Sequence, residues 1–297
     1  MKAMAMMAVA TGTVVMMTGC ASPPKPRVAT ARPVPEPRIA EPPTGNPSLW
    51  PAGVPPIYAR SAILIDARTG RTLYQKNADA TGPVASTQKL LTALLVMEDG
   101  DIDRMVRIAR EDTLVKPTKL GLRVGETYSR RALLAAMMVK SQNDAAAALA
   151  RAVSGSEAAF ADAMNRRAWE LGARSSRFVN AHGLPASQYS TARDMARIAW
   201  KAYREPYLRE LMATKFYTFT YNSGQTKSLE NTNKLLGKFA PANGMKTGYT
   251  IDSGRCLVAS ASAGGREVIL VQIGSRTEYI FSDAERLLTW GLLRAAL

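Results

Sequence analysis

The last third of this chain constrains its architecture more tightly than any other stretch. Three strand-like runs, 244-GMKTGYT-250, 255-RCLVASASA-263 and 266-REVILVQIG-274, follow one another with only IDSG and GG between them. Parallel neighbours need a crossover of about a dozen residues or more, whereas a hairpin needs only a few. The spacing therefore predicts an antiparallel meander. The segment 61-SAILIDARTGRTLYQKNA-78 reads as two further strands, with residues 67–70 as the turn between them. Between these strand regions the pattern is helical. One helix is expected over 86–97. Ser129 is placed to cap RRALLAAMMV, and another helix starts at Asp144, whose side chain is expected to cap it. EAAFADAMNRRAWELG forms an amphipathic helix ending at Gly172, and a further helix spans about 191–203. Residues 101–128 are mixed. An amphipathic helix, SDAERLLTWGLLRAAL, closes the chain. Strands at both ends with helices between them predict an α+β domain, with a five-stranded antiparallel sheet, flanking helices and an all-helical subdomain.

The N-terminus reads differently. MKAMAMMAVATGTVVMMTGCAS has one basic residue, an apolar stretch too short to span a bilayer comfortably, and small residues before Cys20. It resembles a bacterial lipoprotein signal over residues 1–19, which implies lipidation of Cys20 and a mature chain beginning there. An ordinary secretory signal is the alternative. Ala21 beside Cys20 favours the outer membrane over the inner one, so the expected place is the periplasm, with a lipid anchor in the membrane. Residues 20–56 form a proline-rich tether: positions 23–56 hold 12 of the 17 prolines, a composition that stays extended. The folded domain is expected over 57–297. If Cys20 carries lipid, Cys256 has no intrachain partner and reads as an inert core thiol in an apolar strand.

The formal net charge is +15, of which about +12 stays with the folded part. A basic balance favours an anionic partner. Nucleic acid is excluded as that partner, because no basic run, zinc-ligand cluster or aromatic-rich binding motif accompanies the export signal.

Three short motifs carry the chemistry. In 84-VASTQKLLTALLV-96, Ser86 and Lys89 stand three residues apart at the start of an apolar helix, hence on one face. Burial disfavours a charged lysine, and a neutral lysine beside a hydroxyl is a base beside a nucleophile. Ser141 and Asn143 form S-x-N at a break between helices, and Lys246-Thr247-Gly248 form K-T-G on a strand. S-x-x-K, S-x-N and K-T-G in this order are the signature set of penicillin-recognising serine acyltransferases. The stretches 170-ELGARSSRFVNAHGLP-185, 231-NTNKLLGKF-239 and 244-GMKTGYTIDSGRCLVASA-261 extend the likeness. Residues 57 to 297 resemble the catalytic domain of the D-alanyl-D-alanine carboxypeptidases, the low-molecular-mass penicillin-binding proteins. Gln142 replaces a glycine frequent in that family. Many members add a C-terminal β domain and an amphipathic anchor after the point where this sequence stops, and lipid on Cys20 is expected to tether the chain from its other end.

The resemblance implies a serine peptidase that removes the terminal D-alanine from peptidoglycan stem peptides and is acylated by β-lactams, without cofactor or metal. Ser86 is the expected nucleophile. Lys89, kept neutral by burial and by the charge of Lys246, is its base, and Ser141 passes the proton to the leaving amine. Asn143 holds Lys89 and the substrate amide. Lys246 and Thr247 hold the substrate carboxylate, with Arg255 as a lesser candidate. Gly248 belongs to the same strand, and the oxyanion is expected between the backbone amides of Ser86 and Tyr249. His182, the single histidine, sits in a Gly/Pro loop with no G-x-S-x-G elbow anywhere in the chain and reads as structural. Three rivals use the same motifs: an endopeptidase cutting D-alanyl cross-links, a β-lactamase, and a non-catalytic wall-binding lipoprotein. RSSRFVNAHGLP lacks the carboxylate that rapid β-lactam turnover requires in class A enzymes, which argues against the second. The intact motif set argues against the third.

Overall fold

The N-terminal hairpin and the C-terminal meander join into one sheet in the computed structural model, which describes residues 53–294. The expected leader, Cys20, the tether as far as residue 52 and the last three residues of the closing helix lie outside the described residues. In chain order the elements are β1 (Ser61–Asp66), β2 (Thr72–Lys76), a 3-10 turn (Ala85–Gln88), α1 (Lys89–Glu98), β3 (Met105–Arg107), β4 (Thr127–Ser129), α2 (Arg130–Lys140) and α3 (Asn143–Ser154). There follow α4 (Glu157–Glu170), α5 (Ala192–Tyr203), α6 (Pro206–Ala213), β5 (Phe216–Thr220), β6 (Thr226–Glu230), β7 (Ala242–Thr250), β8 (Gly254–Ala263), β9 (Arg266–Ser275) and α7 (Ile280–Arg294). The main sheet has the order β2-β1-β9-β8-β7, with every neighbour antiparallel. β1 lies against β9, Ile63 opposite Val271 and Leu64 opposite Leu270.

The sheet is buried on both faces, and strand periodicity sorts its residues into two cores. Ala62, Leu64, Leu257, Val268 and Leu270 meet Ile280, Ala284, Leu287 and Leu288 of α7. Ile63, Ile65, Val258, Ile269 and Val271 face the helical layer instead. Each fully buried leucine or isoleucine is worth about 1.5–3 kcal/mol relative to exposure. Gly291 lets α7 close on the sheet, since a Cβ there would stand 2.5 Å from Leu64 Cδ2.

α1 runs through the middle of the helical layer. Seven of its ten residues, Lys89 included, are buried, which is why its sequence is apolar almost all round. Local signals place its neighbours. The hydroxyls of Ser129, Ser156 and Thr191 accept from the backbone amides of Ala132, Ala159 and Asp194, capping α2, α4 and α5. Gly155 closes α3 in the left-handed region.

Three features depart from the sequence expectations. The helix expected from Ser86 begins instead as the 3-10 turn and becomes an α-helix at Lys89. Asp144 does more than serve its own helix, where its Oδ1 accepts from the Ala145 amide at 3.0 Å. Its carboxylate accepts from the amides of Leu120, Gly121 and Leu122 and so ties the preceding loop to α3. Finally, α6, the β5–β6 hairpin and the short β3–β4 pair occupy stretches that carried no clear period. In the hairpin only Phe219 and Leu229 are buried.

Candidate active site

Ser86 and Lys89 meet where the 3-10 turn passes into α1. Lys89 Nζ lies 2.9 Å from Ser86 Oγ and 2.7 Å from Asn143 Oδ1, and it also contacts the backbone carbonyl of His182. The amine is wholly buried. Burial pushes its pKa well down, and the charge of Lys246 pushes it the same way. The partners fit a neutral amine. Asn143 Oδ1 and the His182 carbonyl can only accept, so they take its two N–H groups. Ser86 Oγ takes the remaining position on the nitrogen, and its hydroxyl also reaches the His182 carbonyl at 3.2 Å, so its proton can turn from that carbonyl to the amine lone pair.

Asn143 is held as firmly as it holds. Its Nδ2 donates to the Pro117 carbonyl at 2.6 Å and its backbone amide to Thr118 at 2.8 Å. Ser141, at the end of α2, adopts φ 63° and ψ 31°. A side chain in this left-handed region costs about 1–2 kcal/mol, and the turn so formed carries the chain from α2 into Asn143. Ser141 is buried there. Among the described residues no hydrogen bond joins its hydroxyl to Ser86, Lys89 or Lys246.

β7 is the free edge of the sheet and closes the other side. Gly248 is pressed against the nucleophile turn: a Cβ on it would stand 2.9 Å from the Ser86 amide nitrogen and 3.1 Å from that of Thr87. Only glycine lets the strand come so close, and Tyr249 is the next residue along it. Lys246 is buried, and burial lowers its pKa to about 7. Its Nζ donates to the Thr247 carbonyl at 3.1 Å, and the Thr247 and Thr232 hydroxyls are 2.6 Å apart. The Arg255 guanidinium lies over the Tyr249 ring at 4.3 Å and its Nε donates to Thr277, so it is committed away from Thr247. Tyr249 itself is 54% exposed.

Sequence reasoning missed the loop 180–188 as part of the site. Asn180 Oδ1 accepts from the amides of His182 and Gly183, and Gln88 Nε2 donates to the Asn180 carbonyl at 2.6 Å. The available signal was Gln88, a fully buried polar residue on the turn just before the apolar run that begins at Leu90. His182 contributes its carbonyl rather than its ring. The ring Nε2 faces Glu157 at 3.2 Å and Nδ1 accepts from the Leu184 amide. Burial lowers the His182 pKa, in keeping with a neutral ring protonated on Nε2. Cys256 is buried and unpaired, its thiol pKa raised by burial. Among the described residues no group of His, Cys, Asp and Glu side chains is placed to hold a metal ion.

Residues 50–277 match the sequence profile of the D-alanyl-D-alanine carboxypeptidases. A D-alanyl-D-alanine endopeptidase of Pseudomonas aeruginosa is 34% identical over 247 residues, 80% of each chain. D-alanyl-D-alanine carboxypeptidase DacC of Escherichia coli is 36% identical over 251 residues, 80% of this chain but 62% of that protein. Among solved structures, a D-alanyl-D-alanine carboxypeptidase of Mycobacterium tuberculosis superposes with a TM-score of 0.78 at 29% identity, over 82% of this chain and 96% of the other. Penicillin-binding protein D2 of Listeria monocytogenes, in its ampicillin-bound form, superposes with a TM-score of 0.70 at 33% identity, over 79% and 98%.

Proposed function

Because this chain belongs to the D-alanyl-D-alanine carboxypeptidase family of penicillin-binding serine hydrolases, we propose that it removes the terminal D-alanine of peptidoglycan stem peptides through an acyl-enzyme on Ser86. The contact between Lys89 Nζ and Ser86 Oγ at 2.9 Å carries this reading. Ser86 Oγ attacks the penultimate D-alanine carbonyl while its proton passes to Lys89. The oxyanion is held by the amides of Ser86 and Tyr249. Collapse breaks the peptide bond, the D-alanine amine leaves with a proton delivered through Ser141, and an ester remains on Ser86. Water then hydrolyses the ester with Lys89 again as base. Lys246 and Thr247 hold the leaving carboxylate, and Asn143 orients Lys89.

β-Lactams enter the same path and stay. Among the described residues the hydrogen-bond partners of Ser86 Oγ and Lys89 Nζ include no carboxylate. Glu157, at the edge of the 180–188 loop, is engaged with His182 and the Ala181 amide. A penicilloyl ester keeps its leaving amine attached, in the place that D-alanine vacates, so water is kept from Lys89 and no carboxylate stands by to replace it. A second reading, cleavage of D-alanyl cross-links, is favoured by the 34% identity to an endopeptidase. Mass spectrometry tests the set. Loss of one D-alanine from a pentapeptide stem supports the carboxypeptidase, and splitting of a cross-linked dimer alone supports the endopeptidase. Benzylpenicillin adds covalently to the wild type. An adduct formed at an unchanged rate on Ser86→Ala would overturn the assignment of Ser86.

The proposed setting is the periplasm, with lipid on Cys20 and the proline-rich segment as the lead to the enzyme. The support is the sequence MTGCAS and its apolar leader. Cys20→Ser should fractionate as a soluble protein. A variant that stays with membranes in high salt excludes the lipid as anchor.

A further inference from the structure

A cavity of about 180 Å³ opens beside the Ser86 turn, between residues 83–85, the loop at 183–188 and the turn after β7. Two of its lining residues are chain neighbours of the site: Ala85 precedes Ser86, and Thr250 follows Tyr249. The direction of β7 says what would lie there. If Lys246 and Thr247 hold the carboxylate end of an extended peptide and Tyr249 faces its reacting carbonyl, the acyl portion must continue past Thr250. At roughly 3.3 Å per residue, the residue preceding the reacting D-alanine comes level with this cavity.

The chemistry of the walls then defines the occupant. Val84, Leu184 and Pro185 give an apolar flank suited to a methylene stem. Asp252 is the single charged residue in the lining. Among the described residues it makes no ion pair, in a chain whose formal net charge is +15. The other long polar side chain there, Gln188, is committed: it donates to the Leu184 carbonyl at 2.7 Å and accepts from the Val179 amide. An apolar flank with one unpaired carboxylate, exposed at its rim, matches an aliphatic side chain ending in an ammonium.

We propose that this cavity receives a side chain ending in an ω-ammonium on the residue preceding the D-alanine pair, with Asp252 as the residue that selects for the free amine. The proposal rests on the acyl-enzyme reading above and adds a substrate preference to it: a stem whose side-chain amine is unmodified should be favoured over one whose amine is acylated, as in a cross-link.

The test compares Nα-acetyl-Lys-D-Ala-D-Ala with its Nα,Nε-diacetyl form. Wild type should favour the free amine in kcat/KM by about three- to tenfold, a preference that added salt reduces. Asp252→Asn should bring the ratio to one while leaving the diacetyl peptide and benzylpenicillin acylation unchanged. Asp252→Glu should keep part of the preference. Equal rates on the two peptides with wild type, or an undiminished preference in Asp252→Asn, would overturn the proposal. If neither peptide loses D-alanine, the carboxypeptidase reading fails separately. Acylation rates with a penicillin bearing an aminoalkyl side chain and with its N-acetyl form then decide on Asp252 by the same ratio.

Discussion

A Cβ placed on Gly183 would stand 2.2 Å from the carbonyl oxygen of Ala85, the residue before the candidate nucleophile. Gly183 also has φ +85°, where a side chain costs about 1–2 kcal/mol. Gly183→Ala should therefore push the 3-10 turn away and cut benzylpenicillin acylation by at least about tenfold. Gly224→Ala is the control, since it has φ +82° but open space around it. It should lower thermal stability by the backbone strain alone and leave acylation unaffected. Equal effects of the two variants on acylation would show that the contact with Ala85 does not position Ser86.

Lys89 is buried and its pKa is lowered by burial and by Lys246. As the base it must be neutral, so acylation should rise as pH climbs through that lowered pKa and then level off. Lys89→Arg keeps the charge but cannot shed its proton. Its acylation rate from about pH 5 to 10 should stay about a hundredfold or more below wild type. A variant within roughly tenfold, a loss of about 1.4 kcal/mol in barrier, would rule Lys89 out as the base.

Asn143 separates positioning from electrostatics. Asn143→Ala removes an acceptor from Lys89 and a donor from the Pro117 carbonyl, so it should cost about 1–3 kcal/mol of stability and lower the acylation plateau. Asn143→Asp would instead place a carboxylate where Oδ1 now lies, 2.7 Å from the Lys89 nitrogen. An opposite charge favours the ammonium, so the rise in acylation should move to higher pH. Unshifted profiles in both variants would mean that Asn143 does not govern the Lys89 amine.

Burial lowers the Lys246 pKa to about 7. A bound carboxylate favours its charged form, so the contribution of Lys246 to binding is complete below about pH 7 and declines above it. Peptides ending in D-alanine and in D-alaninamide should therefore differ most in kcat/KM at low pH and converge as pH rises. A gap that is constant from pH 5 to 9 would detach Lys246 from the carboxylate.

The same lysine makes folding pH-dependent. Unfolded, it binds its proton up to about pH 10.4; folded, only to about 7. Between these values the unfolded chain holds more protons, so stability rises with pH. Thermal unfolding should shift upward from pH 7 to 9, and Lys246→Met should make that rise shallower, leaving the part due to buried Lys89. An identical slope in the variant would exclude the linkage.

The sheet and the motif residues were legible because their signals are local. IDSG and GG are too short for anything but hairpins, and the spacing of Ser86 and Lys89 puts them on one face. The 3-10 start of α1 was not legible, because it depends on Gly183 and Gly248 pressing on the turn from distant parts of the chain. The role of the His182 carbonyl was hidden for a simpler reason: a backbone group leaves no mark in the residue code. Asp144 was legible in part: as an acid at a helix start it serves that helix through the Ala145 amide. Its bonds to the amides of residues 120–122 join distant parts of the chain and left no local signal.

β7 ends the sheet with its outer edge unpaired around Lys246–Tyr249. An edge of this kind recognises main chain, and main chain is common to every peptide and to any rigid amide that imitates one. Altering side chains along β7 would not teach it to tell substrate from mimic, since both present the same donors and acceptors. Lys246 and Thr247 meet a carboxylate that substrate and mimic share, so substitutions that confer resistance to β-lactams while sparing peptide turnover should arise away from this strand, at the Ser141 turn or the 183–188 loop.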